Sequence, residues 1–147
     1  MRGKAPLAGI DLEEQVPFRT WAESVLPWLR EVMADVAEGI SSDIAGLLAR
    51  QERYTGYQGA LVEIYARAQS YYITALAGAM ERAIKRGVPT SLVARVAEGE
   101  CKTERRLLEA VHRLNSTLAD QLMAIASRLK YEGVISWGDR GGHEKPR

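Results

Sequence analysis

Cysteine, histidine and phenylalanine are scarce here, with one Cys, two His and one Phe among 147 residues, and each shortage excludes a class of structure. Cys101 alone closes no internal disulfide, and with His112 and His143 it makes too small a donor set for a structural zinc site. No apolar run approaches the ~18 residues that cross a bilayer, and no apolar stretch of a secretion signal follows Arg2 and Lys4. The expected location is therefore the cytoplasm, with no membrane partner. No segment alternates apolar and polar with period two, and no internal repeat is visible. Enzyme signatures are missing as well: no phosphate-cradling glycine loop before Lys-Ser/Thr, no His-Glu-x-x-His and no Cys-x-x-Cys. The expectation is a protein that is not an enzyme and carries no cofactor and no metal.

What remains is an ordinary single domain: 46% hydrophobic, 27% charged and a net charge of +1. Its dominant pattern is helical, so the predicted class is all-α. Between Ala60 and Arg86 there is no proline, and Leu61, Tyr65, Ala68, Tyr72, Ala75, Ala79 and Ala83 recur three and four apart, one face of a helix. Gly87 supplies a C′ residue after the basic turn of Arg82, Lys85 and Arg86, Pro89 blocks continuation, and Thr90 or Ser91 is placed to cap the next helix. That helix is predicted over 91–132, ending at Gly133. The link is short enough to make 60–86 and 91–132 a long antiparallel hairpin.

The second helix carries a heptad seam through Ala97, Cys101, Glu104, Leu108, Val111, Asn115, Leu118, Leu122, Ile125 and Leu129, with coiled-coil character. Val96, Leu107 and Leu114 form a second apolar row, which calls for more than one neighbour. Predicted lengths of about 60 Å and 40 Å leave an overhang of about 20 Å. Leu118 to Leu129 then need cover from the amino-terminal helices or from another subunit. Leu108, Val111, Asn115, Leu118, Leu122, Ile125 and Leu129 are the candidate oligomer seam. Asn115 is either a register-setting polar residue within it or a site facing partial solvent. A homo-oligomer is expected.

Shorter helices are predicted over 17–55: a turn over 18–25 with Thr20–Glu23 as a capping box, a helix restarting at Pro27 and ending at Glu38, and another over 43–54 capped from Ser41 or Ser42. Residues 54–59 are predicted to be a loop and 1–16 irregular. Residues 1–133 form one domain, with 134–147 a flexible tail. Trp21 and Trp28, seven apart, are expected to pack on the hairpin. Trp137 in the tail is the candidate anchor for a protein partner.

Charge is unevenly spread. Residues 1–59 hold 6 Lys/Arg against 9 Asp/Glu, a net of −3, while residues 60–147 hold 14 against 10, a net of +4. Arg95, Lys102, Arg106 and Arg113 fall within roughly 40° on a helical wheel, opposite the seam. With Arg82, Lys85, Arg86 and Arg105 they are the candidate contacts to nucleic-acid phosphates. The plainer alternative is a solvated face, with Glu98 and Glu109 each four residues before a cation and placed for helix-surface ion pairs. Tyr71 and Tyr72 suit core packing, base stacking or a small-ligand pocket.

The turn Gly87-Val88-Pro89-Thr90-Ser91-Leu92-Val93, continuing through Ala94-Arg95-Val96-Ala97-Glu98-Gly99, resembles one found in small all-helical proteins encoded by bacteriophages. There too a tyrosine- and alanine-rich helix, here with Tyr71-Tyr72, precedes the turn, and a long charged helix follows, here closing on Ser127-Arg128-Leu129-Lys130-Tyr131-Glu132. The resemblance covers about residues 60–132. More distantly, the layout is similar to phage recombination mediators, which assemble into rings and bind single-stranded DNA. It implies a host-cytoplasm location, self-assembly and single-stranded DNA as a partner, with Arg82, Lys85, Arg86, Arg95, Lys102, Arg105 and Arg106 in contact with it. The alternatives are an assembly protein that binds no nucleic acid, and an oligomer that holds a small nucleotide-like ligand.

Overall fold

The computed structural model describes residues 16–39 and 43–141, the stretch 134–141 by its backbone alone. The described residues form four helices: α1 (Phe18–Ala37), α2 (Ile44–Lys85), α3 (Thr90–Glu100) and α4 (Lys102–Gly141). The described residues contain no strand, and the fold is all-α. No helix among them is long and apolar enough to cross a membrane.

The helices are fewer and longer than the pattern predicts. α1 runs through Pro27 without restarting. A proline inside a helix costs about 3 kcal/mol, but Trp21, Ala22, Val25, Leu29, Val32 and Val36 form one buried face on both sides of it. Burying a large side chain is worth about 1.5–3 kcal/mol, so the face prevails. Pro17, not a capping box at Thr20, occupies the N-cap.

The predicted loop over 54–59 is helical, and α2 continues from Ile44 to Lys85. Tyr54, Leu61 and Ile64 are fully buried, and that packing outweighs the roughly 1 kcal/mol that each of Gly56 and Gly59 withholds from a helix. At the other end α4 passes Gly133 and reaches Gly141. The predicted caps at Ser41 and Ser42, most of the irregular segment 1–16 and residues 142–147 with His143 lie outside the described residues, as does the side chain of Trp137.

The second helix of the hairpin is divided. Cys101 (φ −103°, ψ 26°) interrupts it, its N–H bonded to the Glu98 carbonyl and its own carbonyl accepting from Arg105. The break follows Gly99, a weak helix former, and Glu100, which Arg82 and Arg86 tether to α2.

The turn between α2 and α3 has the predicted chemistry. Gly87 lies at φ +79°, its N–H bonds Ile84 O, and the Val88 N–H reaches back to Ala83 O. This is a Schellman motif with glycine at C′. Pro89 serves as N-cap of α3, and neither Thr90 nor Ser91 caps it.

α2 lies antiparallel to α4 along their length and to α3 at its carboxyl end. α1 crosses back over α2, with Phe18 beside Tyr71 and Asp35 beside Arg53, and so runs parallel to α4. Gln121 of α4 donates to the Val36 carbonyl in the last turn of α1 at 3.2 Å. The main core is made of Trp21, Val25, Leu29, Val32, Leu47, Tyr54, Leu61, Ile64, Leu107, Val111, Leu114, Leu118 and Ile125. A small second cluster at the hairpin tip joins Ala79, Ala97 and Cys101.

The seam is corrected by this packing. Val111, Leu118 and Ile125 are fully buried within one chain, and Leu108, Leu122 and Leu129 pack at the edge of the same core. The stretch Leu118 to Leu129 that was expected to need cover is covered within the chain, because α2 begins at Ile44 and α1 lies beside it. Those residues of the proposed oligomer seam are intramolecular core. Asn115 is half-buried beside them. Leu107 and Leu114, the second row, are buried as well, because α4 faces both α1 and α2, whereas Val96 remains 36% exposed on α3.

Candidate nucleic-acid interface

Eight basic residues were read from the sequence as phosphate contacts, and the fold divides them in two. Arg82 and Arg86, one turn apart on α2, both reach Glu100 on α3, at 3.2 and 2.6 Å. Hydrogen bonds from Arg86 and then Arg82 hold the Glu100 carboxyl below its ordinary range. Lys85 pairs with Glu81 at 3.3 Å and Arg105 with Glu109 at 3.0 Å. These four cations already have carboxylate partners.

Arg95, Lys102, Arg106 and Arg113 are exposed, and none of them forms an ion pair among the described residues. The helix-surface pairs anticipated from Glu98 to Lys102 and from Glu109 to Arg113 are not made; Glu109 turns to Arg105 instead. Lys102, Arg106 and Arg113 share the solvent face of α4, opposite Leu107, Val111, Leu114 and Leu118. Arg95 stands on α3, seven residues before Lys102 and across the break at Cys101. From Arg95 to Arg113 the row covers about 27 Å of helix axis.

The aromatic candidates are placed elsewhere. Tyr71 stacks on Trp21 at a centroid distance of 5.1 Å, meets Phe18 edge-on at 5.5 Å and donates its hydroxyl to the Val16 carbonyl. Its ring is a clasp between α1 and α2, with no face left for a base. Tyr72 is half-buried against the tip cluster. Trp28 packs edge-on against Tyr57 at 6.0 Å, so Trp21 and Trp28 both rest on α2. Cys101 is buried, and burial, followed by the charges of Glu104 and Glu100, pushes its thiol up and away from thiolate chemistry. Among the described residues no three His, Cys, Asp or Glu side chains gather as a metal site.

One cluster escaped the sequence reading. Arg53 grips Asp35 through two hydrogen bonds, Nε to Oδ2 at 2.5 Å and Nη2 to Oδ1 at 2.8 Å, and the Tyr57 hydroxyl donates to Oδ2 at 2.7 Å. Burial alone would raise the Asp35 carboxyl, but the bonds from Arg53 and Tyr57 and the charges of Arg53 and Arg50 hold it below its ordinary value. Burial and that same bond push the Tyr57 hydroxyl up to about 12. The Tyr54 hydroxyl donates to the Asp35 carbonyl and accepts from Arg50, each at 3.3 Å. Every acceptor on Asp35 is engaged inside the chain, so the cluster pins α1 to α2. Its partners lie eighteen or more residues apart, and no local spacing announces them.

No protein-family model, curated protein or solved structure matches the chain.

Proposed function

We propose that this is a non-enzymatic, self-associating helical protein of the phage accessory type. It binds single-stranded nucleic acid through phosphates, without base readout, and serves as a mediator or scaffold. The observation that carries the reading is the row Arg95, Lys102, Arg106 and Arg113: four exposed cations with no carboxylate partner among the described residues, in a fold that pairs its other four candidate cations internally. A row of exposed cations suits a flexible sugar-phosphate chain, and Tyr71, an aromatic candidate for stacking, is taken up by Trp21 and Phe18. The small-ligand alternative loses Tyr71 to the core.

The test is fluorescence anisotropy of a labelled single strand of ~30 nucleotides at low salt. Changing Arg95, Lys102, Arg106 and Arg113 to Glu should abolish binding and leave helix content intact. The same change at Arg82, Lys85, Arg86 and Arg105 should weaken binding far less. An unmodified chain that ignores the strand would overturn the reading. An assembly protein without nucleic acid would then be favoured by the apolar side chains Ile84 and Leu92, exposed at the hairpin tip, and Ile73, exposed farther back along α2.

A further inference from the structure

Along the outer side of α2, Val62, Ala66, Gln69, Ile73, Ala77, Met80 and Ile84 recur four and three residues apart. At about 100° per residue they lie within roughly 80° of one another. The buried residues of α2, among them Leu61, Ile64, Ala68, Ala79 and Ala83, are on the other side. Val62 is 63%, Ile73 56% and Ile84 64% exposed, and Ala66, Gln69 and Ala77 are exposed as well. α2 therefore has a second seam with coiled-coil spacing, which α1, α3 and α4 leave exposed except at Met80, half-buried against the tip cluster.

We infer that this seam pairs with the same seam of a second copy, antiparallel, about a two-fold axis at Ile73. The inference rests on the self-association in the reading above and assigns it to α2 in place of α4. Self-complementarity carries it. With Ile73 set against Ile73, Val62 meets Ile84, Ala66 meets Met80 and Gln69 meets Ala77, so that small residues oppose larger ones.

The charges agree with that alignment. Glu63, Arg67, Glu81 and Lys85 lie along one edge of the seam. In an antiparallel pair this edge faces its own reverse, which brings Glu63 beside Lys85 of the second copy and Arg67 beside Glu81, extending the exposed Glu81–Lys85 pair of each chain into a network. A parallel pair would set this edge against the other edge of the seam and lose both contacts. Arg67 makes no ion pair among the described residues. A two-fold arrangement uses each contact twice and closes on itself.

Light scattering of the full chain should give twice the chain mass of 16.3 kDa. Ile73→Glu should return it to one chain mass with helix content unchanged, since Ile73 takes no part in either core cluster. Glu63→Lys should weaken the dimer by roughly tenfold, and adding Lys85→Glu should restore it. On mild oxidation Ile73→Cys should cross-link to itself, while Ile84→Cys should cross-link only to a chain carrying Val62→Cys. Buried Cys101 stays out of this reaction. A monomer would overturn both this pairing and the self-association it rests on. An oligomer whose mass Ile73→Glu leaves unchanged, or in which Ile73→Cys stays unlinked, would overturn the pairing alone.

Discussion

At one end of the molecule α1 lies against α2 and α4, and the side chains between the three helices are large: Trp21, Tyr54, Leu61, Ile64, Leu118 and Ile125. At the other end α2 meets α3, and the side chains between them are small: Ala79, Ala97 and Cys101. Three helices enclose a volume that bulky residues fill. Two helices share only a line of contact, and small residues let their backbones approach along it. The electrostatics differ in the same way. Asp35 is held at the three-helix end with its side chain 16% exposed, whereas Arg82 and Arg86 reach Glu100 at the tip with side chains 62% and 56% exposed. The three-helix end buries the large side chains, while exposed apolar residues occur at both ends, Met33 and Leu48 at one and Ile84 and Leu92 at the other.

The largest expected effect separates the two cores. Trp21→Ala should lower unfolding free energy in urea by about 3–5 kcal/mol, because it opens a cavity among large neighbours. At the tip the damaging change runs the other way: Ala97→Leu should lower it by about 1–3 kcal/mol by forcing α2 and α3 apart. A tip that accepts leucine without loss would break the comparison.

Next in size is the Asp35 cluster. Asp35→Asn should lower stability at neutral pH by about 1–3 kcal/mol, since it weakens charge-assisted bonds and leaves Arg53 without its carboxylate. The folded pKa of Asp35 is depressed, so its contribution is complete above the unfolded value of about 3.9. It is lost as pH falls through the lower folded value. The thermal midpoint of the unmodified chain should therefore fall more steeply below pH ~4 than that of Asp35→Asn. Glu100→Gln at the exposed tip should leave the midpoint nearly unchanged at neutral pH.

The smallest effects come from glycines and have opposite signs. Gly87 needs its positive φ, so Gly87→Ala should cost about 1 kcal/mol. A Cβ on Gly56 or Gly59 would meet nothing within 4 Å, and alanine at either should add about 0.5–1 kcal/mol. Thermal unfolding of the three variants would measure both signs.

The parts of the fold that local chemistry dictates were legible in the sequence. The Gly87–Pro89 turn, the helical faces of α2 and α4 and the second apolar row at Leu107 and Leu114 could all be read from spacing. Pro27, Gly56 and Gly59 misled because propensity is local, while the burial of Trp21, Tyr54 and Leu61 that overrides it depends on helices far away in sequence. Mistaking 54–59 for a loop shortened α2 and created an overhang, which left Leu118 to Leu129 in need of cover from the amino-terminal helices or from another subunit. For the candidate interface, spacing identified the cations but not their partners. Glu100 is fourteen and eighteen residues from Arg86 and Arg82, and only the hairpin brings them together.

The central claim is that the four exposed cations on α3 and α4 hold a single strand by its phosphates. Its most direct test is the salt dependence of strand binding. A plot of log K against log salt should be linear with a slope of roughly −3, about −0.7 for each of four phosphates neutralised. Replacing Arg95, Lys102, Arg106 and Arg113 with alanine should flatten it toward zero. Binding with no salt dependence, or a slope that those four substitutions leave unchanged, would contradict the account.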